Sequence, residues 1–443
     1  MSKVVAKRIA GNSSWLVVSN LGTASMSAVL MALVSRMIGP TGIGTIALFA
    51  ASCGFAQGFI SLRSGETVIT FASKYVSSGD YARSNAVVFL CLALDFLGAA
   101  ATVIAIHLAR PLLLTWFHIP SAHAGAFTLY SSTIVFTAPI VTGTAVLRLA
   151  NQFRLTCGIA LGAAALRLSI AAFLYFSGST TLLAVVSLYA FASLVEGVTV
   201  LYFALRGLQR LFPSPRPRIP KLFYEHDLFK FQIQGYLRDS VKSVGRYADI
   251  LLIGLLVSPS QVGFYRICKQ MTSYLQAPVD SIAAAAYPEY SRLWFEHRLA
   301  ELRTTMLRLL KVLLPFAVLL SLVTTLFGRQ IIMVLFGSAF LPAAPILSVL
   351  IFATSINVVM APLFLLPQAA GTGKPALIAT ASALLVQLGA IYLLVPQLQG
   401  LGAAWAGLLY TVVWASLIGS WVWRLSHSEV VAEQGEVRAE ATR

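Results

Sequence analysis

Arg238, Lys242, Arg246 and Asp249 recur at steps of four, four and three inside a stretch, 236–256, that is otherwise largely apolar. On a helix that spacing makes one face, and Asp239 widens the charged arc to roughly 100°. A charged side chain at the centre of a bilayer costs about 2.5–3.5 kcal/mol even on the most lenient scales, so such groups turn toward protein or a wet cavity. A second stripe follows in Arg266, Lys269, Ser273, Gln276 and Asp280, which fall within roughly 80° on a helical wheel. A hairpin through 258–262 would make the two helices neighbours. Cations then outnumber carboxylates. Guanidinium and ammonium groups together supply the charge-assisted hydrogen bonds that a phosphate or pyrophosphate requires. The competing reading is a closed network in which the charges only neutralise one another; the surplus of cations argues against it.

Other polar residues within the spans are more ambiguous. At the positions corresponding to the charged row in a repeat described below, the first span offers Ser19, Asn20, Thr23 and Ser27. Arg63 and Glu66 stand at the cytoplasmic end of the second span, either at the mouth of a cleft or as a surface pair. Arg167 and Glu196 sit at similar depth in adjacent spans and read as a structural salt bridge. If protons drive the process, Asp95, Asp249 and Glu196 are the candidates, because a buried carboxylate with a raised pKa titrates near neutral pH. No metal or cofactor is expected. Cys53, Cys91, Cys157 and Cys268 lack redox or zinc spacing and read as small core side chains. The GTGKP segment at 371–375 resembles the end of a phosphate-binding loop, but Gln368 replaces its first glycine and Pro375 its Mg²⁺-binding hydroxyl.

The elements that must carry these residues are membrane helices. The 443 residues are 58% hydrophobic and 11% charged, against about 25% charged in a soluble domain. Twelve spans are read, roughly 14–35, 43–62, 85–106, 124–147, 155–176, 181–205, 231–257, 263–288, 308–327, 343–367, 375–396 and 401–423. Each is near or above the ~20 residues that cross a bilayer as helix. Continuous apolar runs exclude a β-barrel, whose wall alternates. The net charge of +16 invites a nucleic-acid partner, but its distribution excludes one. With the N-terminus inside, the inner segments hold 22 Lys and Arg and the outer segments three. That bias places both termini in the cytoplasm.

Two features divide the chain. Residues 206–230 are basic and carry Pro213, Pro215, Pro217 and Pro220, the composition of an extended linker. The halves also match at an offset of 219 residues: Pro40 falls on Pro259, Gly44 on Gly263, Gln57 on Gln276, Arg110 on Arg329 and Phe117 on Phe336. The expected organisation is an N-terminal lobe (1–205), the linker (206–230), a C-terminal lobe (231–425) and a polar, disordered cytoplasmic tail (426–443). Six spans per copy give both repeats the same orientation, with a substrate site between them. The segments 110–117 and 329–336 read as short pieces lying at the outer interface.

The motifs RMIGPTGIGTIALF, RYADILLIGLLVSPSQVGFYRI, VLFGSAFLPAAPIL and LGAAWAGLLYTVVWA resemble the lipid-linked oligosaccharide (O-antigen and exopolysaccharide repeat unit) flippases. These belong to the multidrug/oligosaccharidyl-lipid/polysaccharide exporter superfamily. The resemblance implies an all-α polytopic fold, two six-helix lobes around a central cavity that opens alternately to each side. It implies a flippase of the bacterial inner membrane, not an enzyme, that turns an undecaprenyl-pyrophosphate-linked sugar from the cytoplasmic to the periplasmic leaflet. Lipopolysaccharide or exopolysaccharide synthesis and its polymerase machinery would be downstream. On that view Arg238, Lys242, Arg246, Arg266 and Lys269 hold the pyrophosphate. Asp249 positions Arg246 or exchanges partners as the lobes rock, and Asp239, Asn20, Arg63, Glu66 and Asp95 are cavity or coupling candidates. An ion gradient is compatible with this scheme. Two other readings are weaker. A multidrug exporter of the same superfamily would favour an acidic, aromatic cavity. A glycan polymerase or ligase would need a longer outer loop than 107–123.

Overall fold

The computed structural model describes the backbone of residues 3–61, 64–211, 226–372 and 374–441, with side chains described over 15–61, 64–209, 227–237, 239–283, 285–372 and 374–424. No strand occurs among the described residues. The helices are α1 (Lys3–Ile60), α2 (Gly65–Thr67), α3 (Ser73–Ser77), α4 (Tyr81–Trp116), α5 (Ala124–Leu149), α6 (Phe153–Phe176), α7 (Leu182–Leu211), α8 (His226–Leu256), α9 (Pro259–Phe295), α10 (Leu299–Phe336), α11 (Ala344–Ala369), α12 (Lys374–Leu398) and α13 (Gly400–Ala441). A π-helical turn, Val68–Ala72, joins α2 to α3.

Among the described residues, nine helical segments are long and apolar enough to cross a membrane. The first, Trp15–Ile60, contains two of the spans read from the sequence. They meet at Gly39, whose φ of 65° breaks the helix just before Pro40; glycine enters that left-handed region without steric penalty. The helices α8 and α9, 31 and 37 residues long, are not among the nine. Their charged rows lower the hydropathy, while their length still exceeds the ~20 residues a crossing needs. The exposed side of α10 carries Val312, Val318, Leu319, Leu322 and Leu326, each more than half exposed. An apolar strip of this extent belongs against acyl chains, not water.

Three expectations need correction. Residues 110–116 are the last turns of α4, with Pro111 inside the helix, and 329–336 are the end of α10. Neither is a separate interfacial piece: the helices simply outrun the apolar core. The polar tail is helical in its backbone, since α13 continues to Ala441.

The chain divides into two compact units, Met1–Gly263 and Phe264–Arg443. By contacts α8 belongs to the first unit, because it packs along α1. The repeat read from the sequence groups it with the second half. The proline-rich part of the linker, 212–225, lies outside the described residues. In the first unit, α5 packs closely on α7: Gly143 meets Val200, and Gly197 meets the Phe136 carbonyl. One interior cluster joins Val68, Phe71 and Tyr75 to Val87, Val88 and Cys91 of α4, Val146 of α5, Leu208 of α7 and Leu228 of α8. The turns equated by the repeat also meet here. Gly44 lies against the Pro259 carbonyl and the Gly263 amide, and Gly263 lies against the Pro40 carbonyl and the Gly44 amide. The contact is reciprocal, and a Cβ on either glycine would collide with backbone.

In the second unit, α11 packs on α10 and α13, and α12 packs on α13. One core cluster gathers Tyr290 and Leu293 of α9 with Leu302 of α10 and Leu365, Leu366 and Ala369 of α11. A smaller one joins Val279, Leu313, Ala317 and Val358. Between these clusters the α9 side chains Gln276 and Asp280 are left to line open space.

Candidate functional site

Three faces of α8 have three different environments. One face packs on α1. Tyr236 Oη donates to the Phe59 carbonyl (2.6 Å), Ser240 Oγ donates to the Gly58 carbonyl (2.8 Å), and Tyr247 lies against Gly54. Gln232 extends this face toward α2, with Nε2 donating to Ser64 Oγ (3.3 Å) and Oε1 accepting from Thr67. A second face exposes Ile233, Leu237, Val241 and Leu255. The charged row occupies the third, roughly 120° from each of the others. Lys242 and Arg246 are exposed there, whereas Asp249 is buried and its Oδ1 accepts from the Ile250 amide (2.8 Å). Lys242 Nζ is 4.0 Å from Asp239 Oδ1, and the Arg246 guanidinium lies 6.0 Å from the centre of the Tyr247 ring. The Arg238 side chain lies outside the described residues, although its backbone is helical. The cations thus avoid the apolar strip that acyl chains would cover.

The second unit holds a cavity of about 860 Å³. The helix α9 contributes one stripe to it, comprising Lys269, Ser273, Gln276, Asp280 and Tyr287. Arg266, part of the same stripe in the sequence, is half-buried and does not line the cavity. Facing the stripe are Thr354, Asn357, Phe364 and Gln368 of α11, Thr380 of α12, and Tyr410 and Trp414 of α13. Phe364 and Trp414 form a tilted pair with ring centres 5.2 Å apart. Gln276 Nε2 donates to Asp280 Oδ1 (3.2 Å), while Gln276 Oε1 is buried without a hydrogen-bond partner. Lys269 Nζ lies 6.0 Å from the Tyr265 ring centre. The facing amides and aromatics escaped the sequence reading. The signal for them was present in Asn357, an amide inside an apolar run, and in Tyr410 and Trp414, four residues apart on one helical face.

A smaller cavity of about 180 Å³ lies in the first unit, lined by Gln57, Ser61, Asp95, Thr137, Ala138 and Val141 among others. Its one carboxylate is buried, and both of its oxygens are engaged. Asp95 Oδ1 accepts from the Ser64 amide (3.2 Å) and Oδ2 from Thr142 Oγ1 (2.6 Å). The Ser64 amide is an orphan donor at the start of the α2 segment, so Asp95 caps a broken helix from outside. Asn20 is exposed on α1, while neighbouring Ser19 is buried and donates to the Cys157 carbonyl (3.4 Å). Glu66 is exposed in α2, and Arg63 lies outside the described residues. Arg167 and Glu196 form the salt bridge expected of them.

A model of the family described as polysaccharide biosynthesis protein matches residues 9–294. The chain belongs to that family. The match agrees with the polysaccharide-related family that the sequence motifs resemble. Among curated protein sequences no match is found. Similar solved structures include an inward-facing multidrug resistance MATE family transporter of the MOP superfamily (TM-score 0.74, 15% identity, covering 93% of this chain and 96% of that one). The lipid II flippase MurJ in an inward closed conformation is another (TM-score 0.68, 13% identity, 93% and 87%). The eukaryotic MATE transporter AtDTX14 is a third (TM-score 0.62, 15% identity, 94% and 95%). At these identities the likeness is one of fold. Within the polysaccharide biosynthesis family, this member is an all-helical, multi-pass membrane protein.

Proposed function

We propose that this protein is a twelve-span flippase. It carries a polyprenyl-pyrophosphate-linked oligosaccharide from the cytoplasmic to the periplasmic leaflet of a bacterial inner membrane, for surface polysaccharide synthesis. Both termini are cytoplasmic. Two six-helix lobes rock between inward- and outward-open states, and no bond is made or broken. Lys242 and Arg246, with Arg238, Arg266 and Lys269, hold the pyrophosphate while the polyprenyl chain stays in lipid. Direction follows from the difference in affinity between the two states. The observation that supports this reading most is the division of α8 into three faces, which keeps exposed cations off the apolar strip. A diphosphate is the ligand chemistry such a row satisfies.

A second reading has one observation in its favour. The aromatic wall and Asp280 of the second-unit cavity suit an organic cation, as a multidrug exporter would require. Lys269 in the same lining opposes it, because like charge is repelled at short range.

Deleting the gene distinguishes the two readings. In a strain without a redundant exporter, a lipid-linked sugar should accumulate on the cytoplasmic leaflet and surface glycan should fall. Normal surface glycan together with new sensitivity to cationic drugs would replace the flippase with the exporter.

A further inference from the structure

The second-unit cavity contains more than an anion site uses. A pyrophosphate needs cations and N–H donors, yet the described lining has Lys269 as its one cation. The rest is amide, hydroxyl, carboxylate and ring. Lys269 and Asp280 are 11 residues apart on α9, so their backbones are separated by about 16 Å along the helix. A ligand that meets both is an extended chain rather than an ion, and a volume of about 860 Å³ is of the size that takes one.

We propose that this cavity is the glycan subsite of the flippase, with Lys269 at the phosphate end and Gln276, Asp280, Asn357 and the Phe364–Trp414 pair reading the sugar. The inference rests on the flippase reading and names the part of the substrate bound here. The chemistry follows from what a pyranose presents. Its axial and ring C–H groups form apolar faces, which pack on aromatic rings. Its hydroxyls ring the edge as paired donors and acceptors, which an amide matches with both of its groups and a carboxylate meets as acceptor. Phe364 and Trp414, with ring centres 5.2 Å apart, offer the face. Gln276 and Asp280, already hydrogen-bonded to each other, offer the edge. Gln276 Oε1 is itself buried, so the exposed Asp280 carboxylate is the acceptor that a ligand hydroxyl reaches. A sugar hydroxyl donates to that carboxylate; a bare diphosphate, which at neutral pH has no proton to spare, is repelled by it.

The test uses the full-length protein in lipid nanodiscs and two radiolabelled probes. One is the lipid-linked sugar recovered from the deletion strain; the other is undecaprenyl pyrophosphate without sugar. Trp414→Ala and Gln276→Ala should each weaken binding of the sugar-bearing probe about tenfold and leave the bare lipid within about twofold. Trp414→Phe, which keeps a ring, should restore most of the loss. Lys269→Ala should weaken both probes. If Trp414→Ala does not insert, Gln276→Ala and Asn357→Ala carry the comparison. Equal effects on the two probes, or none on either, would overturn the glycan subsite and leave the flippase standing. A wild-type protein that binds neither probe would overturn the flippase reading, and the subsite with it.

Discussion

The two cavities each hold a carboxylate in a helix of a membrane protein, and they use it in opposite ways. In the first unit Asp95 is buried, and both oxygens accept hydrogen bonds from fixed partners, the Ser64 amide and the Thr142 hydroxyl. In the second unit Asp280 is exposed to a cavity nearly five times larger, beside an amide oxygen that has no partner. A carboxylate whose lone pairs are filled by its own protein holds structure together. One that faces open volume is available for a ligand. Position within a span does not separate these cases; the count of satisfied groups does.

The sharpest way to break that contrast is at Asp95. Asp95→Ala strands two buried donors, and hydrogen bonds to a charged group contribute about 1.5–3 kcal/mol each. The expected result is a large loss of folded protein, measured by thermal unfolding in detergent. Asp95→Asn keeps an acceptor of the same shape and should fold and transport. An Asp95→Asn protein that folds normally yet transports nothing would make Asp95 a coupling group and dissolve the distinction.

Next in size is Arg246→Ala. One charge-assisted bond is worth about 1.5–3 kcal/mol, so transport of the lipid-linked sugar should fall roughly 10- to 150-fold at unchanged membrane insertion. Retained transport would reduce the α8 row to a structural feature. Gln276→Ala should cost less than about 1 kcal/mol of stability, since the one hydrogen bond it loses goes to the exposed Asp280, while lowering transport several-fold. A loss of stability as large as that of Asp95→Ala would mean that the two cavities are alike. The smallest effect is expected at Lys242. It is exposed, and its contact with Asp239 is long at 4.0 Å; exposed ion pairs contribute about 0–1 kcal/mol. Lys242→Ala should therefore barely move thermal unfolding in detergent, while lowering transport of the lipid-linked sugar in the same direction as Arg246→Ala.

Much of the architecture could be read from composition. Charge content and apolar run length are local signals, and they led to a helical, multi-pass membrane protein. The α9 stripe was legible for the same reason: side chains at Lys269, Ser273, Gln276 and Asp280 share a face by helix geometry alone. The opposite wall was not. Asn357, Thr380 and Trp414 lie on three other helices, and only tertiary packing brings them to the α9 stripe. The partners of Asp95 were not legible because one is a backbone amide and the other, Thr142, lies 47 residues away on α5. The segments 110–117 and 329–336 were misjudged because an arginine after an apolar run, Arg110 or Arg329, looks like a boundary. A helix can carry a proline there with the loss of one hydrogen bond, so α4 runs on through Pro111.

The crossing of Gly44 and Gly263 has one more consequence. Each of these glycines is packed on the main chain around the other, so the two turns hold each other to the same dimensions. A bulkier residue in either one would push both turns apart, and a change in one could be tolerated only through a shift in the other. At this crossing, then, the two turns can change only together.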